Sequence, residues 1–246
     1  MLNFNIQHFE SLDSTNKEVL RQAKQGAKEG LTIVAKQQSD GKGRLGRVWQ
    51  TIDHALAMSV LLRPKIDAHK VAQLSLVAAV AAHDAMAKFA PQTRIKWPND
   101  LLIDGKKVCG ILTEMQQGKH GLAVVVGLGI NISEPKQGWD NNMRTPPTSL
   151  NQHCQQNIDN NEVLQAILES LDIWYHSFIH QGFAPILEAW NKAHIAHGET
   201  VSVFDDRSYI QGIALGLAED GTLRLLVNGK EQRIIAGDVS LMESKT

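Results

Sequence analysis

The sequence predicts an α/β chain of the α+β kind: a mixed sheet with flanking helices, then a small C-terminal β-barrel. Three observations predict it. Strand-like and helix-like segments alternate through residues 1–196. Within them, residues 122–132 form an almost continuous apolar run, as a central strand covered on both faces requires. Beyond residue 197 the texture changes to short strands separated by turn dipeptides, the pattern of a small barrel. The boundary falls at 196–198 and divides the chain into domains 1–196 and 197–246.

Taken in order, residues 5–10 alternate as a strand does. Thr15 and Glu18 have the spacing of a capping box, which opens a helix running to about Ala27. Residues 31–36, with Ile33 and Val34, read as a buried strand, and the polar stretch 37–48 as a loop. A strand at 55–63 and an alanine-rich helix at 70–89 follow, then a short strand at 94–97 ended by Pro98. Segments 101–103 and 108–114 flank Asp104-Gly105, a dipeptide that tolerates the positive φ of a tight hairpin turn. Residues 133–147, with prolines at 135, 146 and 147, form a loop. Helical periodicity returns at 162–180 and 183–194. Strands at 200–204, 209–217, 222–227 and 232–235 follow, with turn signals at Asp205-Asp206, Asp220-Gly221 and Asn228-Gly229.

The 246 residues, 43% of them hydrophobic, suffice for one large and one small packed domain. A formal net charge of −1 excludes a generally basic chain that coats nucleic acid, and leaves room for a local basic patch. Cys109 and Cys154 form no C-x-x-C pair and no metal-ligand spacing, so they read as buried or free thiols in a reducing compartment. The opening residues lack the basic and apolar regions of a signal peptide. The apolar stretch 71–89 carries His83, Asp84 and Lys88, so it reads as a buried helix and not a membrane span. A cytoplasmic location is expected.

Gly41, Gly43 and Gly46 match G-x-G-x-x-G. A dinucleotide fingerprint also needs a helix opening inside the motif and an acid about twenty residues later. Here Val48, Trp49 and Thr51 follow, and no acid stands at 61–64. What the loop offers is charge, from Lys42, Arg44 and Arg47. Glycine lets backbone N–H groups approach an anion, and the arginine fork binds phosphate or carboxylate through two hydrogen bonds. Each such charge-assisted bond contributes about 1.5–3 kcal/mol. A solvated surface loop with stray basic residues has the same composition. A second cluster, Lys96-Trp97-Pro98-Asn99-Asp100, joins two strands, with Lys107 and Gly110 on the next. Pro, Asn and Asp are also ordinary turn residues.

Four blocks together narrow the reading. The cluster at 96–100, the loop at 41–47, Ser14-Thr15-Asn16 and the strand end at 127–131 stand in the order and at the spacing of biotin–protein ligases. The chain resembles that family over about residues 12–240. The resemblance implies a catalytic domain of the class II aminoacyl-tRNA synthetase and biotin ligase type, followed by an SH3-like barrel. It implies that biotin and ATP, with Mg²⁺, form biotinyl-5′-AMP and pyrophosphate. The biotinyl group then passes to a lysine of the biotin carboxyl carrier protein of acetyl-CoA carboxylase. By the same resemblance Lys42, Gly43 and Arg44 lie along biotin, with Arg44 between its carboxylate and the α-phosphate. Lys107, near Gly110, touches the carboxylate and the developing acyl phosphate. Arg47 faces the triphosphate, and Asn99 and Asn131 lie by the nucleotide. Asp100 accepts a proton from the carrier lysine and orients it, or else caps a turn.

The uncharged ureido head of biotin needs uncharged polar partners. Ser14, Thr15, Asn16 and Gln38 suit it, although one of the first three also serves as a helix cap. Trp49 is either a wall beside the loop or a stacking surface for the nucleotide, and Trp97 reads as core. Loop 38–48 is expected to move when empty and to order over ligand. Lys42 and Leu45 stand where members often carry arginine. A lipoate–protein ligase shares the fold and reaction type but needs an apolar tunnel for its dithiolane. Ser14-Thr15-Asn16 begins so near the start that no DNA-binding domain, and so no repressor activity, is expected. No protein metal site is predicted, and both monomer and homodimer stay open.

Overall fold

In the computed structural model, which describes residues 1–49, 55–139, 143–204 and 209–241, a mixed sheet forms the first domain. Thr51 and the expected turn at Asp205-Asp206 lie outside the described residues. β1 (Asn5–Leu12) leads into α1 (Thr15–Lys24), β2 (Leu31–Gln38), β3 (Ala55–Leu62) and α2 (Gln73–Ala87). Then come β4 (Thr93–Lys96), β5 (Asp100–Ile103), β6 (Lys106–Gly118) and β7 (Gly121–Asn131), followed by α3 (Asn160–Gln181) and α4 (Ala184–Ala193). The strand order is β1-β2-β3-β7-β6-β5-β4. β1 and β2 run parallel, and the other neighbours antiparallel. The apolar run expected as the central strand is β7, which takes the middle place in the sheet.

Alternation along β3 and β7 divides the core. Leu56, Met58 and Val60, with Val124, Val126, Leu128 and Ile130, join the large core that holds α2, α3 and α4. On the other face Leu61, Ala123 and Val125 pack with Ile33 against Val19 and Ala23 of α1. The next positions on that second face are Ser59 and Ala57 of β3, paired across the sheet with Gly127 and Gly129 of β7. The apolar stripe runs out there. Small and polar side chains leave a hollow where α1 begins.

The start of α1 corrects the expected capping box. Ser14, not Thr15, is the N-cap, and its side chain does not cap the helix. Glu18 turns instead to Arg21 and Gln22. The physical reason is that Thr15 and Asn16 are drawn into the interior, where other groups take their hydrogen bonds. The helix also stops at Lys24, short of Ala27. There the Arg63 guanidinium from the end of β3 donates to the carbonyls of Ala23, Ala27 and His120.

β8 (Thr200–Phe204), β9 (Tyr209–Leu217), β10 (Leu223–Val227), β11 (Lys230–Ile234) and β12 (Asp238–Leu241) form a second, antiparallel sheet in the order β11-β10-β9-β8-β12. β12 lies outside the expected strands. Its four residues are too few to display alternation. Two of the expected turn dipeptides take positive φ at both residues, 48° and 76° at Asp104-Gly105 and 49° and 77° at Asn228-Gly229; at Asp220-Gly221 only the glycine does, at 86°. Trp97 is buried core. Cys109 and Cys154 are free thiols, the first buried. Among the described residues no helix is long and apolar enough to cross a membrane.

Candidate active site

The glycine-rich loop folds back on itself. The Trp49 N–H donates to the Gly41 carbonyl (2.9 Å) and the Gly43 N–H to the Arg47 carbonyl (2.7 Å). At its tip Leu45 and Gly46 take φ of 56° and 72°; the first is costly for a side chain of that size, the second free for glycine. Under this ribbon lies a cavity of about 130 Å³, walled by Ser14, Thr15, Asn16, Gln38, Lys42 and Arg44. Gly110, Gly127 and Gly129 form its floor. These glycines leave room for close approach. A Cβ on Gly127 would stand 2.1 Å from Asn16 Oδ1, and one on Gly129 2.2 Å from the Trp49 ring.

The inner end of this cavity is polar and tightly bonded. The Thr15 N–H donates to Gln38 Oε1 (2.9 Å), and Thr15 Oγ1 lies 2.7 Å from Ser59 Oγ. Asn16 Nδ2 donates to the Glu114 carboxylate (2.7 Å) and to the Leu112 carbonyl (3.3 Å).

A second cavity of about 510 Å³ adjoins the first and is lined by Lys96, Asn131, Trp139, Arg144 and Asp238 among others. Arg47, Val48, Trp49, Asp100 and Lys107 line both. At this junction Lys107 Nζ stands 2.6 Å from one Asp100 oxygen, while Lys96 Nζ lies 3.9 Å from the other. Lys96 also donates to Thr145 Oγ1 at 3.3 Å. Burial lowers the pKa of Lys96 below the usual lysine value, and Asp100 only partly opposes this. Lys107 Nζ is 5.6 Å from the centroid of the Trp49 ring, which forms a wall between the cavities.

Lys107 faces the junction because β6 is irregular. Its pairing with β5 shifts from Leu101↔Cys109 to Leu102↔Lys107. Val108 and Cys109 both enter the core, and Lys107 and Gly110 both face the cavity. Three residues apart on a regular strand they would lie on opposite faces; the bulge re-aims the lysine.

The second sheet closes the outer side. Asp238 at the start of β12 pairs with Arg47 and Arg144, the latter at 2.9 Å, and lies 3.9 Å from Arg44. Burial pushes its carboxyl up, but Arg47, then Arg144 and Arg44, outweigh this and hold it below the usual carboxylate range. Arg44 also donates to the Gly237 carbonyl (3.4 Å).

Three comparisons bear on this geometry. Residues 8–131 match the biotin/lipoate A/B protein ligase family, and residues 196–242 the biotin protein ligase C-terminal domain. The bifunctional ligase/repressor BirA of Bacillus subtilis is 36% identical, over 94% of this chain and 72% of its own length. The chain belongs to the biotin/lipoate A/B protein ligase family. Within the family, a biotin–[acetyl-CoA-carboxylase] ligase of Paracoccus denitrificans is 35% identical, covering 92% of this chain and 96% of its own. The biotin protein ligase of Aquifex aeolicus, solved with biotin and ATP, superposes with a TM-score of 0.82 at 28% identity, over 98% of this chain and 99% of that one.

Every residue expected to bind ligand or take part in the chemistry lines one of the two cavities. Ser14, Thr15, Asn16, Gln38, Lys42, Gly43, Arg44 and Gly110 line the first, Asn131 the second, and Arg47, Trp49, Asp100 and Lys107 both. Asn99, expected by the nucleotide, lines the first. It donates to the Ile111 carbonyl and accepts from Arg44 at 3.4 Å. Asn131 is also tied down, donating to the Thr148 carbonyl at 3.0 Å. Sequence reasoning placed Lys96 in a motif without giving it a role, and missed Arg144 and Asp238 around the second cavity and Ser59 and Glu114 behind the first. Ser59 had a signal, being the lone polar residue in the apolar strand 55–62. Asp238 had none, because nothing local links it to a loop nearly two hundred residues earlier.

Proposed function

We propose that this chain is a biotin–protein ligase that activates biotin with ATP and transfers the biotinyl group to a lysine of a biotin carboxyl carrier protein. The observation that carries this reading is the meeting of a polar, glycine-floored niche with a larger cationic cavity at Lys107 and Asp100. An apolar tunnel, as a dithiolane would need, is not what Thr15, Gln38 and Asn16 line. The ligase relatives support the same reaction.

In the first step a biotin carboxylate oxygen attacks the α-phosphorus, and the bond to the pyrophosphate oxygen breaks. The carboxylate is already a competent nucleophile, so the task is to hold two anions together with fixed positive charge. Lys107 stands where the cavities meet, in reach of both groups, with Arg44 on the biotin side. Arg47, Lys96 and Arg144 face the triphosphate, whose oxygens compete with Asp238 for the arginines. Asp100, the carboxylate at the junction, would help hold Mg²⁺ beside the triphosphate, where the ion would supply charge that offsets that of the phosphates. In the second step the carrier lysine nitrogen attacks the acyl carbon and AMP leaves. Asp100 orients the ammonium and accepts its proton. A cytoplasmic setting agrees with the two unpaired thiols.

The test is exchange of labelled pyrophosphate into ATP. Exchange is expected with biotin and not with lipoate, and Lys107→Ala should lower it roughly a hundredfold or more. Exchange supported by lipoate instead would overturn the biotin assignment. The loop makes a second prediction. Biotin should slow cleavage after Arg44 and Arg47 by trypsin, and equal cleavage rates with and without biotin would count against closure over the ligand.

A further inference from the structure

The direction of every hydrogen at the inner end of the first cavity follows from its far side. Asn16 Nδ2 meets a Glu114 carboxylate oxygen at 2.7 Å and the Leu112 carbonyl at 3.3 Å. Both groups only accept, so the amide must present its NH₂ to them and its oxygen to the opposite side. That oxygen lies 2.6 Å from Ser59 Oγ. An amide oxygen also only accepts, so the single hydroxyl hydrogen of Ser59 goes to it. Ser59 Oγ is 2.7 Å from Thr15 Oγ1 and, its hydrogen spent, can only accept there. The Thr15 hydrogen therefore points to Ser59, into the protein; turned to Gln38 Oε1 at 3.2 Å, it would leave two oxygens 2.7 Å apart with no hydrogen between them.

What Thr15 offers the cavity is then a pair of acceptor lone pairs. Ser59 is fully buried, and Thr15 and Asn16 are nearly so. In such surroundings a mismatched pair of acceptors is costly. Gly127 keeps the arrangement possible, since any Cβ there would meet Asn16 Oδ1 at 2.1 Å.

We propose that Glu114, Asn16 and Ser59 are positioning residues that lock the Thr15 hydroxyl as an acceptor, so that the first cavity selects a ring carrying an N–H donor. This rests on the biotin reading of the cavity and deepens it: the lock is what distinguishes a cyclic urea from a ring of the same shape with oxygen in place of one N–H.

Calorimetric titration can test this with biotin and the two cyclic carbamate analogues, each with one ring N–H replaced by oxygen. The wild-type chain should prefer biotin to one of the analogues by roughly a hundredfold or more, as a site built around a hydrogen bond does. In Ser59→Ala the Thr15 hydrogen is free to turn outward, and that preference should fall at least about tenfold. Glu114→Leu should lower it too, and Glu114→Gln, which keeps one acceptor, should lose less. The preference is a ratio, so a general loosening of the fold leaves it unmoved. An unchanged ratio in both Ser59→Ala and Glu114→Leu, with biotin still bound, overturns the lock alone. A wild-type chain that binds neither biotin nor the analogues overturns the biotin reading, and the lock with it.

Discussion

A methyl group at Gly127 would meet the Asn16 amide oxygen, and Asn16 cannot retreat because Glu114 and Leu112 hold its other end. Gly127→Ala should therefore raise the KM for biotin at least about tenfold, equivalent to roughly 1.4 kcal/mol, with little change in the KM for ATP. Pyrophosphate-exchange kinetics check this, and an unchanged biotin KM would mean that the niche has slack. His194 makes a different kind of prediction. It is buried against Trp190 with neither ring nitrogen bonded, and burial, helped by His197, lowers its pKa from 6.5 to about 4. Above pH 6.5 the ring is neutral both folded and unfolded and adds nothing. As the pH falls from 6.5 towards 4, the unfolded chain takes up a proton that the folded chain refuses, so stability is lost. By about pH 5 the loss is about 2 kcal/mol. Denaturant unfolding at about pH 7.5 and about pH 5 should show that much less acid loss in His194→Phe, and equal loss in both chains would assign the effect elsewhere. Residues of this kind separate what a sequence tells from what it hides. The places of Lys107, Arg44 and Thr15 at the cavities were legible because they sit in short motifs; Ser59 and Glu114 reach Thr15 and Asn16 from other strands.

The elements were legible to a similar degree. Period-two alternation and turn dipeptides located most strands, because burial on one or both faces dictates them. The β6 bulge was not legible. Alternation places Lys107 and Gly110 on opposite faces, and only the pairing shift brings them together. The α1 start failed for a related reason: tertiary partners for Thr15 and Asn16 outweigh a local capping box. What ends α1 came from far along the chain. Arg63 gathers three carbonyls, those of Ala23 and Ala27 and that of His120 in the β6–β7 turn. Its own backbone N–H donates to the Glu29 carboxylate at 2.7 Å. Replacing the guanidinium with an apolar chain of similar length leaves water to satisfy carbonyls near the surface. Arg63→Met should thus cost about 2 kcal/mol in denaturant unfolding, near one charge-assisted hydrogen bond rather than three. Because α1 carries Ser14, Thr15 and Asn16, biotin affinity should fall with it. A stable variant with native affinity would show that packing of Val19 and Ala23 alone holds the helix.

At the scale of the whole molecule, the second sheet contributes one carboxylate to a cluster of arginines from the first domain. Arg44 and Arg47 come from the glycine-rich loop and Arg144 from the segment before α3, and all three converge on Asp238. The contact therefore ties β12, the loop and the mouth of the larger cavity to one another. Asp238 has 15% of its side-chain surface exposed, whereas the arginines keep 24% to 51% of theirs. Salt can thus screen the arginines, while the carboxylate is held inside the cluster. Reversing its sign puts a fourth cation among three others in a half-buried site, and the repulsion acts on the second domain as a body. Asp238→Lys should raise the KM for ATP at least about tenfold if, as proposed, the arginines it displaces face the triphosphate. The affinity for biotin should fall less than that for ATP, since Thr15 and Gln38 at the inner end of the niche are bonded to each other and to Ser59, and only Arg44 links the niche to β12. Hydrogen exchange should rise in β8 and β12 together. A variant with normal ATP kinetics and unchanged exchange would show that the second domain is held by the apolar core that its strand β9 shares with α4, with the carboxylate incidental to both docking and catalysis.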